Sequence, residues 1–197
     1  MFDRVDKPLL ITTLILLGFG LVIFGSAALG VLAVNEAKFY AVIKTQFVYA
    51  LLGGSFALFL GLSIPYKLYE KYAYIIFGGA LFVTMLVFVP GLQMYHGGAH
   101  RWITIGSLSL QPSEMLKLAF VIMVAYWCTK YRHLFRDMRY GLLPYLGLAL
   151  VVSGVLLAQP DFGTYLVIMS ASFVTYFVGG ARKKHLISLV FIGIAGV

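Results

Sequence analysis

The sequence predicts an all-α protein, a polytopic bundle of transmembrane helices with about six complete helices and a truncated seventh. Three observations carry that prediction. The chain is 61% hydrophobic and 11% charged, against roughly 45–50% and 25% in soluble domains, so it has too little polar surface to cover a water-exposed globule. Apolar stretches approach or exceed the ~20 residues that a helix needs to cross ~30 Å of hydrocarbon, and they recur along almost the whole length. The net charge of +8 comes from short basic clusters between those stretches. No basic stripe forms on a soluble face, so the charge reads as a topology signal and not as a nucleic-acid footprint.

Hydropathy places spans at about 8–34, 43–63, 73–90, 112–128, 140–158 and 164–180, with a further one starting near Leu186 and cut off at Val197. The first follows Asp3, Arg4, Asp6 and Lys7. Its apolar region is well beyond the ~7–15 residues of a signal peptide, so it reads as a retained helix. On the second, Gly53, Ala57 and Gly61 recur every four residues, a small-residue face suited to close helix packing. Pro65, Pro90, Pro112, Pro144 and Pro160 fall mostly at proposed helix ends, where a missing N–H does least harm. The single cysteine, Cys128, has no partner for a disulfide within the chain and reads as a packing residue. No repeat, low-complexity tract or linker divides residues 1–197, which read as a single integral membrane domain.

Assigning the connections to alternate sides puts eleven of the fifteen Lys and Arg residues on one side, which the positive-inside rule makes cytoplasmic, together with the N-terminus. Segments 91–111 and 159–164 are then external. These two segments hold the most unusual polar residues, and they face the same compartment.

The first leads into Gln111-Pro112-Ser113-Glu114, where Pro112 and Ser113 suit a helix start and Glu114 adds negative charge where the helix dipole is positive. Lys117 lies three residues on, within pairing distance on the same face. Arg101 beside Trp102 offers a fixed cation next to an interfacial ring, able to hold a phosphate or diphosphate headgroup or to anchor the chain at the membrane surface. His96 and His100 lack the spacing of a metal site and read as solvated loop residues. In the second, Gln159-Pro160-Asp161-Phe162-Gly163-Thr164 places a carboxylate at a helix junction. Asp161 there could cap the following helix, bind a cation or orient a sugar hydroxyl, and spacing alone does not choose.

At these residues the chain resembles the SEDS family, the multi-helix membrane glycosyltransferases of bacterial cell-wall synthesis in elongation, division and sporulation. Gly98-Ala99-His100-Arg101-Trp102-Ile103, then Gly106, then Gln111-Pro112-Ser113-Glu114 with Lys117, look like the family's GAxRWI…G…QPSExxK signature. Gln159 to Thr164 look like its QPDxGT signature, and Asp6, Leu9-Leu10, Gly20-Leu21 and Ser26-Ala27 look like its first helix. The resemblance therefore covers essentially the whole chain. Family members typically have ten membrane helices, with the proposed catalytic aspartate in a large external loop after the seventh. The resemblance thus implies a main catalytic carboxylate beyond Val197 and an inactive chain when these 197 residues stand alone.

The activity implied is polymerisation of lipid II into glycan strands at the outer face of the bacterial cytoplasmic membrane, during cell division or elongation. A sugar hydroxyl must lose its proton while a polyprenyl diphosphate leaves, tasks suited to a carboxylate and to a cation or metal ion. Under that reading Arg101, Trp102 and Lys117 bind substrate, whereas Glu114, Gln111 and Gln159 act structurally and electrostatically. Asp161 is the candidate auxiliary catalytic group or ligand of a divalent cation, Mg or Mn. Implied partners are lipid II, a class B penicillin-binding protein that acts as transpeptidase, and other division or elongation membrane proteins, with no nucleic acid. Two other functions compete: a flippase for the lipid-linked precursor, and a non-catalytic scaffold for a transpeptidase. A flippase calls for charged groups deep within several helices, whereas the distinctive residues here collect at external helix ends.

Overall fold

A computed structural model describes residues 6–32, 36–48, 52–90, 93–96, 99–105, 108–135, 137–182, 184–185 and 188–189. It forms two compact units, residues 1–65 and 66–197. In the first lie α1 (Lys7–Leu32), α2 (Glu36–Val48) and α3 (Gly54–Ser63). α1 is 26 residues long, about 39 Å at the helical rise and ample for a bilayer. It starts where the Asp6 carboxylate accepts from the Leu9 N–H at 3.0 Å, which satisfies one of the free donors of the first turn. Thr12 and Thr13 turn their hydroxyls back onto the carbonyls of Pro8 and Leu9, so an otherwise apolar helix carries them without an unmatched donor.

In the second unit come α4 (Tyr66–Met85), a three-stranded sheet, α5 (Pro112–Lys130), α6 (Leu143–Ala158) and α7 (Phe162–Val178). Each helix buries a stripe at helical spacing. On α4 it is Ala73, Phe77, Ala80 and Thr84, on α5 Leu116, Ala119, Phe120, Met123 and Val124, and on α7 Ile168, Ser172 and Tyr176. Lipid tails are as apolar as leucine, so these stripes associate through close packing and matched polar groups, not through exclusion of water. Ala73, Ala80 and Ala119 bring α4 and α5 together, and Phe77 meets Phe120 at 5.9 Å between ring centroids. Outward positions such as Leu118, Leu150, Leu166 and Val178 stay exposed and apolar. That is the surface a lipid-facing bundle presents.

The end of this unit formed by the start of α4 and the end of α5 is aromatic and basic. Lys130 Nζ lies 5.3–5.6 Å from the ring centroids of Tyr74, Tyr126 and Tyr131, a cation held at aromatic faces of the kind found at membrane interfaces. Gly179 packs against α5, where a Cβ would lie 2.7 Å from the Sγ of buried Cys128. Beyond it, buried His185 shares a 3.3 Å hydrogen bond with the Tyr176 hydroxyl. Burial first and the Arg182 charge second hold that imidazole below its ordinary pKa, with Asp137 opposing them.

Three expectations shift. The second span, expected at 43–63, already begins in α2 at Glu36, and α4 begins at Tyr66 instead of 73. In both cases charged and tyrosine residues lower the hydropathy while remaining good or acceptable helix formers. Within the first unit the small-residue face of the second span meets no neighbour among the described residues, since Ala57 and Gly61 are exposed and a Cβ on Gly53 or Gly61 meets open space. Within the second unit, small residues pack closely between α4 and α5. The span expected from Leu186 lies largely outside the described residues.

Segment 91–111 adds what hydropathy has no signal for, an antiparallel sheet of β1 (Gln93–His96), β2 (Ala99–Ile105) and β3 (Leu108–Leu110) in the order β1-β2-β3. The helical membrane-spanning class stands, with this sheet joining α4 to α5. Lys7–Gly30, Tyr66–Phe88 and Met138–Ala158 are each long and apolar enough to cross a bilayer by themselves. The chain is a multi-pass membrane protein.

Candidate functional site

Two connections of the second unit build the site. α6 and α7 are joined by only Gln159, Pro160 and Asp161, and so short a link makes the two helices antiparallel neighbours. It also makes Asp161 the N-cap of α7. Its Oδ1 accepts from the Thr164 N–H at 3.4 Å, and its backbone carbonyl accepts from the Tyr165 N–H. The capping role open in the sequence is thus one that Asp161 fills. The preceding Gln159 is buried, and its Nε2 donates to the Thr84 carbonyl at 3.0 Å. That carbonyl belongs to the last turn of α4, where the backbone tightens into a 3-10 turn over Leu86–Phe88 and the final carbonyls lack partners within the helix. Gln159 caps α4 from the α6–α7 link.

The second connection is the sheet. Pairing of β1 with β2 matches Met94 with Trp102 and Tyr95 with His100, so Arg101 is an extra residue with no partner across the ladder. Such a bulge bends its strand and re-aims a side chain. Here Arg101 Nη1 lies 3.5 Å from Asp161 Oδ1. From the start of α5, Gln111 Nε2 and the Ser113 hydroxyl both donate to Asp161 Oδ2, at 3.2 and 3.3 Å. The Asp161 side chain is only 3% exposed. Its charge is held by a guanidinium, an amide, a hydroxyl and a backbone N–H, and by the positive ends of α5 and α7.

Lys117 is held elsewhere. Its Nζ contacts both Glu114 oxygens at 3.0 Å, and the two side chains are 32% and 57% exposed. The pair is local to one helix, as its spacing predicts. Trp102 is half-buried on β2, with no hydrogen bond to the Asp161 group among the described residues. Of the residues singled out in the sequence, the structure therefore gathers Arg101, Gln111 and Asp161, ties Gln159 to α4 beside them, and leaves Glu114 with Lys117 as a separate pair. Ser113 is legible in the sequence as a helix-start residue and as part of a motif, but not as a partner of Asp161. Its bond to Asp161 spans 48 positions of sequence, and no local pattern encodes it.

Comparison with known proteins gives this geometry a family. The model of the FtsW, RodA and SpoVE cell cycle proteins matches residues 7–197. This chain belongs to that family. It is 32% identical to stage V sporulation protein E of Bacillus subtilis over 97% of its own length and 52% of that protein's. It is 34% identical to the probable peptidoglycan glycosyltransferase FtsW of Geobacter sulfurreducens over 95% and 50%. Among solved structures, rod shape determining protein RodA of Thermus thermophilus matches at 33% identity and a TM-score of 0.69, covering 91% of this chain and 57% of the other. A chain of a peptidoglycan synthase complex that coordinates polymerization and crosslinking matches at 33% identity and a TM-score of 0.70, covering 91% of this chain and 51% of the other. The chain spans about half the length of the curated relatives it matches.

The FtsW/RodA/SpoVE family is the SEDS family that the two motifs resemble, and both motifs converge on Asp161. A divalent cation does not fit Asp161 as it stands. Magnesium and calcium take carboxylate oxygens at about 2.0–2.6 Å, whereas four donors, one of them a guanidinium, already surround this carboxylate. No group of three or more His, Cys, Asp or Glu side chains suited to a metal occurs among the described residues. What the arrangement offers instead is a cation held next to open space: the Arg101 side chain is 33% exposed.

Proposed function

We propose that the protein to which this chain belongs is a peptidoglycan glycosyltransferase that polymerises lipid II at the outer face of the bacterial cytoplasmic membrane. The observation that carries the reading is the convergence of the two family motifs on one buried carboxylate beside a partly exposed arginine. Lipid II presents a diphosphate between sugar and polyprenyl chain, and its departure as a polyprenyl diphosphate develops negative charge. A fixed guanidinium is suited to stabilise that charge. The sheet that carries Arg101 lies in the segment which the distribution of Lys and Arg makes external, with the N-terminus cytoplasmic. Relatives named as glycosyltransferases support the chemistry, and the synthase complex, in which polymerization is coordinated with crosslinking, supports a crosslinking partner, for which a class B penicillin-binding protein is our candidate.

The division of labour follows from position. Arg101 meets the diphosphate, with Trp102 at the membrane surface beside it and Lys117, steadied by Glu114, as a second cation. Gln111 and Gln159 hold the two connections in register. The carboxylate that removes the proton from the attacking sugar hydroxyl lies outside these residues.

The test is polymerisation of purified lipid II by the full-length protein with its transpeptidase partner, beside an Arg101→Ala variant. Glycan strands from the wild type and a loss of at least about tenfold in the variant, the scale of one charged contact, support the reading. Membrane-inserted wild-type protein that moves lipid II across vesicles without polymerising it would replace this reading with the flippase.

A further inference from the structure

We propose that Asp161 is a positioning residue, neither a proton acceptor nor a cation ligand, and that its work is to fix the Arg101 guanidinium toward an anionic diphosphate. The identity of that anion rests on the glycosyltransferase reading. The pairing rests on geometry alone.

An ionised carboxylate offers about four lone-pair sites, and four donors surround this one. Arg101 Nη1 and the Thr164 N–H meet Oδ1, while Gln111 Nε2 and the Ser113 hydroxyl meet Oδ2. A general base needs a lone pair free to reach, at about 2.6–3.2 Å between heavy atoms, the group whose proton it takes, and the lone pairs of Asp161 are turned to four donors at 3.2–3.5 Å. A metal ion would have to displace one of these donors and then sit against the positive charge of Arg101. With the side chain 3% exposed, almost none of it is open to a substrate hydroxyl.

The free valence lies on the partner. Arg101 has five N–H donors, of which Nη1 is engaged by Asp161, and its buried Nε has no hydrogen-bond partner among the described residues. That buried atom is out of an incoming oxyanion's reach, so the oxyanion is met by the exposed part of a side chain that is 33% exposed as a whole. Two helix starts and a sheet bulge therefore meet at one carboxylate whose role is to aim one cation. Ser113 and Gln111 act one step further out, by fixing the carboxylate.

The experiment is a double-mutant cycle in the full-length protein, with Arg101→Ala, Asp161→Asn and both together, plus Ser113→Ala and its conservative counterpart Ser113→Thr. Binding of undecaprenyl diphosphate is measured with a chelator present and again with excess magnesium, and lipid II polymerisation is followed on the same proteins. Expected are losses of about tenfold for each single variant, corresponding to one charged hydrogen bond, with the double variant no weaker than Arg101→Ala alone. Ser113→Ala should lose a few-fold and Ser113→Thr should recover it. Three results overturn the proposal: additive losses in the cycle, an Asp161→Asn protein that binds normally yet does not turn over, or binding to Asp161→Asn restored by added magnesium. If the wild type binds no diphosphate lipid, the glycosyltransferase reading fails. The pairing is then decided by the unfolding midpoints of the same proteins, where coupled shifts sustain it and additive shifts overturn it.

Discussion

Asp161 and Glu114 are both carboxylates at the start of a helix in the second unit, each beside a basic side chain, and their surroundings differ in almost every physical respect. Glu114 pairs with Lys117 one turn away on its own helix, and its side chain is more than half exposed. Asp161 is buried and draws donors from β2, from the start of α5 and from its own helix. The first arrangement requires only that α5 be a helix. The second requires separate segments to arrive together, so it reports on the assembled unit. An ion pair read from local spacing and one built by tertiary contact are different objects, even within one unit of the same chain.

The contrast can be broken by substitution, and the largest effect is expected at Asp161. Asp161→Ala leaves an arginine, an amide, a hydroxyl and a backbone N–H without their acceptor. The cost should be about 3 kcal/mol, the lower end for breaking a buried pair because Arg101 is partly solvated, read as a fall in the thermal unfolding midpoint in detergent. A smaller loss is expected for Gln159→Ala, about 1–3 kcal/mol, because the buried Thr84 carbonyl loses its only side-chain donor among the described residues. Local hydrogen exchange at the end of α4 should rise with it, and unchanged protection there would show that Gln159 does not cap that helix. The smallest effect belongs to Glu114→Gln, under about 1 kcal/mol and shrinking further with added salt, as for exposed pairs generally. A loss at Glu114 equal to that at Asp161 would erase the distinction drawn between them.

Several particulars are legible in the amino-acid sequence alone. The helices of the second unit, the tight connection at Gln159–Thr164, the Glu114–Lys117 pair and the motifs themselves depend on composition, hydropathy and spacings of a few residues. The sheet in 91–111 is not legible there, because its short strands interrupt no apolar run and carry no long alternation. The start of α4 is misplaced by hydropathy for a related reason: Lys67, Glu70 and Lys71 depress hydropathy without opposing a helix. Sequence also leaves Asp161 among three roles, as cap, as cation ligand or as the group that orients a sugar hydroxyl, since a carboxylate at a helix junction suits all of them.

By itself, then, the sequence determined that this chain lives in a membrane, roughly where most of the described spans lie, and which residues are unusual enough to matter, because the cost of polar groups in hydrocarbon is written residue by residue. Tertiary structure decided what those residues do to one another. It put a bulge at Arg101, turned Ser113 and Gln111 from helix-start residues into donors, sent Gln159 to the end of α4, and enclosed Asp161 among four donors. Apart from the bulge and the Thr164 N–H, which are local, those outcomes depend on contacts between positions 48 to 75 residues apart, and a contact of that range is fixed by the packing of whole helices.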